Sequence, residues 1–126
     1  MKIMIVDDEQ IILMALSYLL RNKETTVITC STIEEAEEAL SKYIFDLVIA
    51  DIRFSGIYGI EGLELLSFIK KMHPSTEVII MTAYDTNEIK EEAYKRGAFH
   101  YYEKPIDIKE LRSKVNSLSN NISTCT

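Results

Sequence analysis

Five short apolar runs punctuate the chain, and each is followed by a longer stretch whose apolar residues return at helical spacing. The runs are Ile3 to Val6, Thr26 to Cys30, Leu47 to Ala50, Val78 to Met81 and His100 to Tyr102. Strand followed by helix, repeated in this way, builds a parallel sheet whose two faces are both covered by helices. The expected fold class is therefore α/β, a doubly wound five-stranded sheet in three layers.

The helical stretches predict their own buried stripes. The first, Glu9 to Asn22, places Ile12, Ala15, Leu16, Leu19 and Leu20 on one side. The second carries Ile33, Ala36, Ala39 and Leu40, with Ser31 or Thr32 as its cap and Glu34 or Glu35 as the capping-box acid. The third runs near Leu63 to Met72, and the fourth near Asn87 to Arg96, where Gly97 stops it. The last spans Asp107 to Leu118 and is expected to bury Ile108, Leu111, Val115 and Leu118. The methionines read as core filler, and Cys30 as buried at a strand end. Residues 1–119 make one domain; residues 120–126 read as a flexible tail or the start of a linker.

Composition excludes several classes. A net charge of −6 argues against a nucleic-acid surface made by this chain. Two cysteines are too few for a disulfide framework, no run reaches membrane-spanning length, and the N-terminus lacks the pattern of a secretory signal. The expected setting is reducing and cytoplasmic, with no membrane partner.

In an open α/β sheet, ligands bind at the carboxyl ends of the strands. Those ends carry Asp7 and Asp8, then Asp51, then Thr82, then Lys104. Carboxylates about 5 Å apart repel by about 3 kcal/mol per pair at an effective dielectric near 20. Turn preference alone explains one acid at a strand end; it does not explain three acids beside a hydroxyl and an ammonium. A hard divalent cation offsets such repulsion, and Mg²⁺ leaves coordination sites open for phosphate oxygens. Phosphoryl transfer needs a nucleophile, a metal and donors for the equatorial oxygens. Asp51 suits the nucleophile, Lys104 the counter-charge, and Thr82 the hydroxyl donor.

The motifs VDDE, DLVIAD, MTAY and GAFHYYEKP, in that order from Lys2 to about Leu118, resemble the bacterial two-component response-regulator receiver, a chemotaxis-regulator-like domain. The resemblance implies flavodoxin-like strand order 2-1-3-4-5. It implies that Asp51 is the phosphoacceptor for a sensor histidine kinase or phosphotransfer protein, and that the domain is a switch rather than a turnover enzyme. It makes Asp8, Asp51 and the carbonyl of Arg53 direct Mg²⁺ ligands, with Asp7 holding a metal-bound water. Tyr101 falls on the switch aromatic, expected to turn inward as Thr82 moves toward the phosphoryl group. That motion would reshape the face of the fourth helix, fifth strand and fifth helix, for partner exchange or a homodimer. The bond before Pro105 is often cis in such proteins. One departure stands out: Ser55 occupies a usual proline position, and GIYGIE lengthens the loop before Gly62. Tyr84 and Arg53 flank the site as tuning positions or as plain loop residues.

Three other functions compete. A flavin carrier on this fold would need a hydroxyl- and glycine-rich loop after the first strand, where Asp7 and Asp8 would repel phosphate. A phosphatase of the haloacid dehalogenase type would show Asp-x-Asp there instead of Asp-Asp-Glu. A receiver-derived interaction domain working without phosphorylation would not need the intact set of five site residues. His73 reads as a surface turn residue, and the Glu34 to Glu38 run as a solvated helix face.

Overall fold

Strand periodicity of two divides every buried strand residue between two cores. In the computed structural model, which describes residues 1–51, 60–83 and 86–124, the elements follow the expected alternation. They are β1 (Lys2–Val6), α1 (Gln10–Leu20), β2 (Thr26–Cys30), α2 (Ile33–Lys42), β3 (Leu47–Asp51), α3 (Ile60–Met72), β4 (Glu77–Thr82), α4 (Asn87–Lys95), β5 (His100–Glu103) and α5 (Ile108–Thr124). The sheet is parallel throughout, in the order β2-β1-β3-β4-β5.

Met4, Val6, Val48, Ala50, Val78, Ile80 and Tyr101 face α2, α3 and α4, meeting Ala36, Leu40, Leu66 and Ile69. Ile3, Ile5, Leu47, Ile49, Ile79, Met81 and Tyr102 face α1 and α5, meeting Leu13, Leu16, Leu20, Leu111, Val115 and Leu118. Full burial on both faces is why β1, β3 and β4 read as unbroken apolar runs.

Local signals set the helix ends. Thr32 Oγ1 accepts from the Glu35 N–H at 3.0 Å, and Glu35 Oε1 accepts from the N–H and hydroxyl of Ser31. The capping box thus closes through Glu35, reaching back one residue beyond the cap. At the end of α4, Gly97 takes φ +106°. Its N–H donates to Tyr94 O and that of Ala98 to Ala93 O, the paired bonds of a Schellman turn.

Four expectations need correction. The buried face of α1 is Leu13, Leu16, Ser17 and Leu20; Ala15 is exposed and Ile12 and Leu19 only half-buried. Almost every residue of IILMALSYLL is apolar, so periodicity could not choose the face; the sheet did. Ile108 is 43% exposed, because it opens α5 before that helix lies down on the sheet. Met14 and Met72 are exposed, although Met4 and Met81 fill the core as expected. Lastly, α5 continues to Thr124, past Leu118, with neither Gly nor Pro to stop it.

Thr76 is fully buried and donates its hydroxyl to Phe45 O at 2.6 Å, tying the start of β4 to that of β3. Thr76→Val keeps the shape but takes the donor from a buried carbonyl. Urea unfolding should show a loss of about 1–3 kcal/mol; an unchanged midpoint would mean the carbonyl finds another donor.

Candidate phosphoryl and metal site

Parallel register brings the reactive residues to one edge. Val6 pairs with Ala50, so Asp7 follows β1 level with Asp51, the last residue of β3. Asp51 pairs with Met81, and Thr82 ends β4 one residue further on. Thr82 pairs with Glu103, and Lys104 comes next, its N–H donating to Thr82 O at 2.7 Å.

The Lys104 ammonium joins the cluster. Its Nζ lies 3.0 Å from Asp7 Oδ2, 3.1 Å from Asp51 Oδ2 and 3.4 Å from Glu9 Oε1. The lysine side chain is 12% exposed, Asp7 fully buried and Asp51 nearly so, whereas Asp8 and Glu9 are exposed. Asp7 Oδ1 accepts from the Glu9 N–H at 2.9 Å, which shapes the turn into α1. The Lys104–Pro105 bond is cis, as the resemblance implied.

Charge and burial oppose each other here. Burial pushes the Asp7 carboxyl up from its ordinary value, against the pull of the Glu9 N–H and the Lys104 ammonium. Burial alone would lower Lys104, but its bonds to Asp7 and the charge of Asp51 win and raise it, so it stays an ammonium. One cation does not neutralise the surrounding acids: Asp7, Asp8, Glu9 and Asp51 each place an oxygen within 4.8 Å of the others. This all-oxygen donor set, partly buried and open on the Asp8 side, fits a hard divalent cation. The acids can hold the ion while Lys104 offsets charge on a neighbouring phosphoryl oxygen.

The structure thus brings together Asp7, Asp8, Asp51 and Lys104, with Thr82, fully buried, at the adjoining strand end. Arg53, Ser55 and Tyr84, named from the sequence, lie outside the described residues. Glu9 was missed. It heads the first helical stretch, yet its carboxylate reaches Lys104; its place directly after two acids is the signal the sequence offers. Tyr101 is already buried at 6% exposure, its ring 6.5 Å from that of Tyr94. Its ring belongs to the core that α4 shares with the sheet.

Comparison with known proteins places this geometry. The family model for the response regulator receiver domain matches residues 3–116. PilR of Pseudomonas aeruginosa is 36% identical over 114 residues, covering 90% of this chain and 25% of PilR. A response regulator receiver domain from Clostridium thermocellum superposes with a TM-score of 0.85 at 30% identity, over 99% of this chain and 98% of that one. The beryllofluoride-activated NtrC4 receiver domain dimer gives a TM-score of 0.83 at 26% identity, over 93% and 94%. The chain belongs to the response regulator receiver family. It is a phosphorylation-controlled switch, not a turnover enzyme, and it carries the acidic pocket of such domains. It spans about 25% of the length of PilR. No helix among the described residues is long and apolar enough to cross a membrane.

The raised Asp7 pKa has a sign that can be tested in metal-free protein. A carboxyl raised above its unfolded value costs stability once ionised, so the cost grows as pH climbs from about 4, the ordinary Asp value. Asp7→Asn removes it. The stability of D7N relative to wild type should therefore rise with pH above that value and level off toward neutrality. Urea titrations across pH check this; a flat difference would show that Lys104 fully offsets the burial.

Proposed function

We propose that Asp51 accepts a phosphoryl group from the phosphohistidine of a sensor histidine kinase or phosphotransfer protein, in a Mg²⁺-dependent step. The observation that carries this is the shared grip of Lys104 on Asp7 and Asp51 at a sheet edge. An Asp51 carboxylate oxygen attacks phosphorus, the P–N bond breaks, and the imidazole leaves with the electron pair and is protonated. Asp8, Asp51 and the Arg53 carbonyl would hold Mg²⁺, with Asp7 acting through a bound water. The ion would supply positive charge against the developing charge on the phosphoryl oxygens. Lys104 stays charged and stabilises another phosphoryl oxygen, and the Thr82 hydroxyl donates to a third.

Phosphorylation adds nearly two negative charges. Attraction of Thr82 to them favours the arrangement in which Tyr101 lies buried, so the switch is a shift in population between inward and outward ring positions. The face of α4, β5 and α5 then exchanges partners or forms a symmetric dimer, as support from the NtrC4 receiver dimer suggests. A donor protein has a surface to meet beside the site. Ile11, Met14 and Tyr18 on α1 are 81%, 70% and 86% exposed. A cleft of about 440 Å³ between α1 and the start of α5 is lined by Glu9, Ile12, Lys104 and Pro105.

Phosphoramidate with Mg²⁺ should add one phosphoryl group by intact mass. The gain should vanish in Asp51→Asn and in chelator, and slow about 100-fold in Lys104→Met, the scale of losing one charge-stabilising donor. Labelling of D51N at the wild-type rate would sink the assignment. Met14→Asp and Tyr18→Ala should slow transfer from the cognate kinase about tenfold, the cost of one disrupted interface anchor. Their phosphoramidate labelling should stay unchanged; equal loss in both assays would place the defect in the site rather than in docking.

A further inference from the structure

Between α2 and α3, on the sheet face opposite to α1 and α5, lies a groove of about 270 Å³. Ile33 and Glu37 line it from α2, and Glu64, Leu65 and Phe68 from α3. Leu65 is buried, but Phe68 is 40% exposed, and Met72, one turn further along α3, is 57% exposed. An exposed ring by itself is ordinary. The two exposed glutamates that share its groove are what set it apart.

Several other helical glutamates have a local reason for their place. Glu34 lies in the first turn of α2, where it complements the helix dipole. Glu35 closes the capping box. Glu38 and Glu92 each pair with a base one turn on, Lys42 at 2.9 Å and Arg96 at 2.8 Å. Glu37 and Glu64 have none of these reasons. Each stands fifth in its helix, beyond the turn where the dipole favours an acid. Neither has Lys or Arg three or four residues away on either side. Neither forms an ion pair among the described residues. Two uncompensated carboxylates beside an apolar groove match a partner whose apolar anchor is flanked by basic side chains. The groove is walled by helices, so a third helix fits it, with anchors at helical spacing. A net charge of −6 disfavours a second copy as the occupant, and the glutamates repel an anionic lipid surface.

We propose that the α2–α3 groove docks a basic amphipathic helix of a partner protein, with an apolar anchor on Ile33, Leu65 and Phe68 and basic side chains on Glu37 and Glu64. Because α1 packs on the other face of the sheet, this partner leaves the exposed side of α1 uncovered.

The test is an amide NMR titration of the whole chain, in Mg²⁺ to shield the acidic cluster, with three synthetic peptides of equal length. One has leucines at helical spacing with lysines between them. The second has glutamates in place of the lysines. The third is the lysine peptide shuffled so that no apolar face forms. The lysine peptide should give saturable shifts at Glu37, Leu65 and Phe68. It should bind at least tenfold tighter than the shuffled one and weaken as salt rises, while the glutamate peptide stays inert. Phe68→Ala should weaken binding about tenfold, and Glu37→Lys combined with Glu64→Lys should abolish it. Both variants should keep the rest of the spectrum and the phosphoramidate labelling of Asp51 unchanged. The proposal is overturned by shifts centred on Asp8 and Glu9, by equal binding of the shuffled peptide, by binding of the glutamate peptide, or by full affinity in either variant. Self-association of the chain that Phe68→Ala abolishes would overturn it too, by giving the groove to a second copy.

Discussion

Two carboxylates stand at the edge of a dry sheet because one ammonium reaches both. Lys104 Nζ sits about equally far from Asp7 Oδ2 and Asp51 Oδ2, at 3.0 and 3.1 Å. Buried charges are tolerated only when paired and hydrogen-bonded. Here the pairing is incomplete: among the described residues, one ammonium meets Asp7, Glu9 and Asp51 of a four-acid cluster. The surplus charge is the source of the site's chemistry, since it both strains the pocket and attracts a divalent ion. Every other feature of the edge serves to hold these groups at that spacing.

The fold supplies the spacing through register. Parallel pairing of β1, β3, β4 and β5 brings Asp7, Asp51, Thr82 and Lys104 to successive strand ends. The Lys104 N–H on Thr82 O links the last two directly, and the Asp7 carboxylate shapes the turn that carries Asp8 and Glu9. Behind this edge, β1, β3 and β4 are buried on both faces. Close packing makes such a layer resist continuous deformation, so a charge added at one strand end is relieved at a neighbouring side chain with two positions. In the switch proposed above, Tyr101 is that side chain; it lies three residues before Lys104, whose N–H donates to Thr82 O, in the core shared with α4, and Tyr94 packs beside it.

The α1 helix divides its surface among three tasks. Leu13, Leu16 and Leu20 seal one core, while Ile11, Met14 and Tyr18 stand in solvent. Ser17 spends a buried position on a hydroxyl that fixes Arg21 at the far end. A helix made only to cover a sheet would need the first set alone.

Much of this was legible in the amino-acid order. Short apolar runs alternating with stretches of 3.6-residue period determined the strands, the helices and their order. Chemistry concentrated after the apolar runs pointed to Asp7, Asp8, Asp51, Thr82 and Lys104, which register brings to one sheet edge. Local caps were equally readable, as Thr32 with Glu35 and Gly97 show. Tertiary structure decided the rest. Periodicity could not select the buried face of α1, where nearly every residue is apolar, and only contact with the sheet chose Leu13 over Ala15. Nor could it show Glu9 reaching Lys104 across the edge, or Tyr101 lying buried. Such pairings join residues far apart in the chain, and their distance is set by packing between elements, to which a one-dimensional pattern is blind.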